Sequence, residues 1–76
     1  MTSLSDSFGR AVRQLRERHG WSQEELAARA DLNRSYLGEI ERGAAMPSLA
    51  TVAKLSRALE LSLPSLMSHF EQVARA

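Results

Sequence analysis

The stretch that decides the reading runs from Ser22 to Gly43: SQEELAARADLNRSYLGEIERG. Ser22 and Glu25 stand at S-x-x-E spacing, in which the hydroxyl caps a new helix and the acid reaches back to the cap's own N–H. Leu26, Ala27 and Ala30 then fall on one face at helical spacing. Three residues, Asp31 to Asn33, interrupt the pattern. Asn33 is a good N-cap for a second helix, RSYLGEIER, which turns Leu37 and Ile40 inward and halts at Gly43. Its outer stripe holds Arg34, Ser35, Gly38, Glu39 and Arg42.

The same reading extends in both directions. Before Ser22, Leu4, Phe8, Val12 and Leu15 recur at helical spacing, with Ser3 and Asp6 as capping residues. That helix stops at Gly20, with Arg18 and His19 in the last turn, where cations suit the helix dipole. After Gly43 a turn over 44–47 leads to Ser48, which caps a helix with Leu49, Val52, Leu55 and Leu59 as its buried stripe. Ser62 caps a last helix with Pro64 in its first turn, where a missing N–H does no harm. Its apolar positions are Leu63, Leu66, Met67, Phe70 and Val73. No segment alternates apolar and polar residues long enough for a strand. The expectation is one all-α domain of five short helices over residues 1–76.

Composition narrows the function classes. The 76 residues contain no cysteine, which excludes a disulfide scaffold and a thiolate zinc site. His19 and His69 stand far apart with no ligand cluster, so no metal or other cofactor is expected. No apolar run approaches the roughly 20 residues of a membrane span. The polar start MTSLSDSFGR does not read as a secretory signal, and the expected location is cytoplasmic. Paired carboxylates, a nucleophile–base set and a phosphate-cradling loop are all missing, which argues against an enzyme. Net charge is +1, made of +2 over residues 1–20, −2 over 21–43 and +1 over 44–76. Nucleic-acid binders are usually more basic, so any such reading must rest on geometry.

Geometry supplies one. Two short capped helices joined by a tight turn are the outline of a DNA-reading helix–turn–helix. The N-terminus of the first, at Ser22–Gln23, offers free N–H groups to a phosphate. The second can lie in the major groove with Arg34 and Ser35 near base edges.

At these residues the chain resembles the XRE, or lambda-repressor-like, family of DNA-binding domains, over about Phe8 to Leu66. FGRAVRQLR before the motif and PSLATVAKLSRALELS after it fit the same family. Within it, the short chain, the RSYLGEIERG helix and the extended fifth helix are similar to controller proteins of restriction–modification systems. The resemblance implies double-stranded DNA as partner, and a chain of 76 residues leaves no room for a separate ligand domain, so no small-molecule effector is expected. The resemblance also implies a phosphate contact for Gln23 and base contacts for Arg34 and Ser35. Glu39 lies one turn further along the groove, and Tyr36 and Arg42 lie at the sugar–phosphate backbone. Asn33, the cap, joins this DNA-facing set. Arg16 and Glu41 match a family ion pair tying the first helix to the end of the reading helix.

Three places, five residues in all, depart from the family. Asp31 and Glu60 stand where glycine is usual, and Ala44, Ala45 and Met46 replace basic or polar residues. Aspartate tolerates a left-handed backbone better than most residues, so the turn is expected to survive. Glu39 can accept from a cytosine amino group or act as a repulsive filter near phosphates. Gly38 either lets the helix sit close to the groove floor or has drifted neutrally. Trp21 reads as a lid over the first two helices rather than a base-stacking platform, and both histidines as surface residues. The fifth helix, residues 63–76, carries more apolar surface than a four-helix core can cover. Leu63, Met67, Phe70 and Val73 are therefore its expected homodimer contacts, with Leu66 internal. Regulators of other kinds, antitoxins and phage-type repressors, share the motif. A helical interaction module that has lost DNA binding is the alternative from a different class.

Overall fold

The computed structural model describes residues 3–76 and contains five helices: α1 (Leu4–Arg18), α2 (Gln23–Ala30), α3 (Arg34–Glu41), α4 (Leu49–Ala58) and α5 (Leu63–Arg75). Each starts after an extended residue whose side-chain oxygen accepts a backbone N–H from the first turn. These caps are Ser3, Ser22, Asn33, Ser48 and Ser62, as the sequence indicates. The turn between α2 and α3 is made by Asp31 in the left-handed conformation, with φ 55° and ψ 50°. Glu60 adopts φ 62° after α4. Both residues take the backbone geometry that glycine would supply more cheaply.

The core is one cluster. Phe8, Val12 and Leu15 of α1 meet Leu26, Leu37, Ile40, Val52, Leu55, Leu59 and Leu66 from the other helices. α1 packs on α3 and α5, α2 on α3 and α4, and α4 on α5. Gly9 sets the α1–α3 spacing, because a Cβ there would collide with the carbonyl oxygens of Ile40 and Glu41. That approach brings the middle of α1 against the end of α3. Trp21 is the expected lid, half-buried on the core. The His19 imidazole stacks on its ring at 4.0 Å, and the Arg29 guanidinium lies 4.2 Å from the ring centroid.

Four expectations need correction. Leu4 and Leu49 are not core residues, being 66% and 73% exposed. Each is the first residue of its helix, where the apolar face runs past the edge of the neighbouring helices. Ser56 completes the α4 face instead, its hydroxyl donating to the Ala53 carbonyl at 2.9 Å. The S-x-x-E cap is only half formed. Glu25 donates its N–H to Ser22 Oγ, while its carboxylate accepts from Arg29 at 2.7 Å. Arginine one turn on outcompetes the cap N–H because that bond is charge-assisted. Finally, Gly38 is buried rather than part of an open stripe.

Candidate nucleic-acid interface

Glu41, the last residue of α3, anchors the surface from behind. Its side chain is 3% exposed and that of Arg16 is 12% exposed. Arg16 donates from Nε to Glu41 Oε2 at 2.7 Å and from Nη2 to Oε1 at 3.0 Å. Its Nη1 donates to the Trp21 carbonyl at 2.8 Å. The hydrogen bond to Glu41 raises the Arg16 pKa above its ordinary value, against the opposing effect of burial. Such a buried, bidentate pair is well satisfied, and its rupture would strand a charge. The ion pair implied by the family resemblance is therefore present.

Gln23, at the start of α2, joins this network. Its Nε2 donates to Glu41 Oε1 at 3.0 Å. One amide N–H is thus turned inward, and the other stays available to a ligand. The bond fixes the amide plane at the mouth of the surface, which sequence alone did not indicate. Arg42 caps α3 and folds back along it, with Nη1 3.0 Å from where a Cβ of Gly38 would stand.

The first turn and the outer face of α3 are open. Arg34, Ser35 and Glu39 are exposed, and among the described residues their side chains take no hydrogen bond or ion pair. Asn33 is engaged differently from its neighbours, since its Oδ1 accepts the Ser35 N–H at 2.8 Å. Its amide NH2 group and the second lone pair of Oδ1 remain for another partner. Tyr36 is half-buried with its ring against the core. An α-helix is about 10–12 Å across, which suits a major groove about 12 Å wide.

The proposed dimer residues lie apart from this surface. Met67 is 39% exposed. Phe70 packs edge-to-face on Phe8, with centroids 5.6 Å apart, and is half-buried. Leu63 and Val73 are also half-buried, Leu63 against the core and Val73 on the side of Arg10 and Gln14. Leu4, Met67, Phe70 and Ala74 line an apolar groove of about 460 Å³. Leu4 was missing from the sequence-derived interface set because its spacing assigns it to the core. Among the described residues no helix is long and apolar enough to cross a membrane.

Two capped helices at a tight turn, the second anchored from behind and open in front, define a helix–turn–helix protein. The pattern of that family matches residues 12–66. Over 53 residues the chain is 47% identical to control protein C.BamHI of Bacillus amyloliquefaciens, covering 68% of this chain and 65% of that protein. Over 73 residues it is 37% identical to control protein C.MunI of Mycoplasma sp, covering 95% of this chain and 99% of that one. It thus spans just under two thirds of the first relative and nearly all of the second. The crystal structure of the restriction–modification controller protein C.AhdI from Aeromonas hydrophila superposes with a TM-score of 0.78 at 42% identity, covering 82% of this chain and 94% of that one. The chain belongs to the helix–turn–helix family, in its XRE-like branch.

Proposed function

We propose that this chain is a sequence-specific DNA-binding transcription regulator of the restriction–modification controller kind, acting as a homodimer on a roughly palindromic operator. The observation that carries the reading is the division of α3. Its Glu41 end is locked to Arg16 and Gln23, while Arg34 and Ser35 in the first turn and Glu39 on the outer face stand exposed. A rigidly held helix with unpartnered polar side chains is what base reading requires. The likeness to proteins named control proteins, over nearly the whole of one of them, supports the same reading. Gln23, Arg42 and Tyr36 serve as backbone contacts, and Asn33 holds the first turn of α3 while its amide faces the DNA. The dimer forms through α5, with Met67 and Phe70 central and Leu63, Val73 and Leu4 around them. The chemistry is binding, with no catalysis.

The test is a fluorescence-anisotropy titration of a random-sequence duplex at two salt concentrations, followed by selection of a preferred operator from a random pool. Affinity should fall steeply with salt, because each phosphate contact releases counterions. The selected operator should show two related half-sites about one helical turn apart. Salt-insensitive or undetectable binding would instead favour the interaction-module reading.

A further inference from the structure

Gly38 is the odd residue of α3. It stands in the middle of a short helix, where glycine is among the poorest helix formers. It is buried although it has no side chain, because two side chains from elsewhere approach it. A Cβ at this position would lie 3.0 Å from Arg42 Nη1, 3.9 Å from Arg42 Cζ and 3.8 Å from Gln23 Oε1. The tips of Gln23 on α2 and Arg42 at the end of α3 therefore converge over one point of bare backbone. Gln23 is held there by its bond to Glu41, with one amide N–H still free to donate. The Arg42 guanidinium brings further donors and a positive charge. The guanidinium thus lies on the oxygen side of the Gln23 amide. With no side chain between the two groups, the remaining amide N–H and the outer guanidinium N–H groups can serve a single tetrahedral anion.

We infer that Gly38 is a positioning residue for DNA binding: its missing side chain lets Arg42 lie flat beside Gln23, so that both close on the same backbone phosphate. The inference rests on the proposed DNA-binding function. A methyl group at Gly38 would press on the far end of a flexible side chain. The helix would therefore tolerate it, while the guanidinium would be pushed outward.

The experiment measures affinity and salt slope for a random-sequence duplex of about 30 base pairs, room for two half-sites. It compares wild type, Gly38→Ala, Arg42→Ala and the double variant. Arg42→Ala should lower the salt slope by about 0.9 per bound protomer, about 1.8 for a dimer, for the lost phosphate contacts. Gly38→Ala should weaken binding about three- to tenfold, the size of a loosened charge-assisted hydrogen bond. It should also unfold at or above the wild-type temperature, since alanine is the better helix former. In the Arg42→Ala background the Gly38→Ala effect should vanish. Gly38→Ser carries the same Cβ and should show the same loss, again only where Arg42 is present. Wild-type affinity in Gly38→Ala, or an equal loss with and without Arg42, overturns the inference while leaving DNA binding standing. A wild-type chain with no salt-dependent binding overturns the functional reading, and this inference with it.

Discussion

The two ends of α3 obey opposite rules. At its C-terminal end the Glu41 carboxylate accepts three hydrogen bonds, two from Arg16 and one from Gln23, and is 3% exposed. At its N-terminal end Arg34 and Ser35 are exposed, and the cap from Asn33 satisfies only the backbone. Polar groups that hold the fold find their partners inside the chain. Those that choose a ligand are left without one, so that pairing in the complex does not compete with pairing in the monomer. The consequence is a separation of effects: damage at Glu41 should register as lost stability, and damage at Arg34 as lost discrimination.

The largest effect is expected at the fixed end. Glu41→Ala strands the Arg16 guanidinium and should destabilise the fold by about 3 kcal/mol in urea denaturation. Combining Arg16→Met with Glu41→Leu should recover much of that loss, because no lone charge remains. A double-mutant cycle with no coupling energy would make these two residues independent, and the fixed end would lose its basis.

At the free end, Arg34→Ala should leave the denaturation midpoint nearly unchanged. It should reduce the preference for operator over random DNA by about 1–3 kcal/mol, the value of one bidentate arginine–guanine contact. Gln23→Ala should weaken both DNAs by similar factors, since a phosphate contact carries no sequence information. If the operator-to-random ratio survives Arg34→Ala within about twofold, that arginine is not a base reader by the same measure.

A smaller effect than at either end is expected at the turn that precedes α3. Asp31 holds a left-handed backbone with its side chain 98% exposed, so Asp31→Gly should stabilise the protein by about 1 kcal/mol. Discrimination between DNAs should not change, which sharpens the contrast: stability can be added here without touching the reading surface. Thermal unfolding and the operator ratio check the two halves of that statement.

The smallest effect concerns pH. Burial, with Arg18 nearby, holds the His69 pKa below its ordinary value of 6.5. Its Nε2 lies 3.1 Å from Gln14 Oε1. A histidine whose folded pKa is lowered takes up its proton more readily in the unfolded chain. Its neutral form therefore favours the fold fully above 6.5, and that contribution is lost as pH falls from 6.5 through the lower folded value. The denaturation midpoint should drop slightly on acidification through this window. His69→Gln should flatten the profile there, and an unchanged profile would remove His69 as its source.

Much of this is legible in the sequence. The five caps, the order of the helices, the inward pair Leu37 and Ile40, and the left-handed turn at Asp31 all follow from local rules acting within a few residues. The candidate surface was less legible. Its residues could be placed on α3, but Gln23 could not be seen to lean on Glu41, nor Arg42 to lie across Gly38. Leu4 and Leu49 misled for a related reason: periodicity assigns a face to a helix without saying where the neighbouring helix ends.

By itself, then, the sequence determined the elements, because capping, helical spacing and backbone strain are local properties of the chain. It also determined the family likeness, since the motif residues are contiguous. The resemblance implies that Arg16 and Glu41, 25 residues apart, form a pair. Only the tertiary structure decided how side chains meet there, and that Gln23, 18 residues from Glu41, joins them. The Arg16–Glu41 contact depends on α1 approaching α3 closely at Gly9, where a Cβ would collide with the facing backbone. The Gln23 contact depends on how α2 packs on α3. Both are set by whole helices packing against a shared core, and no local pattern encodes either.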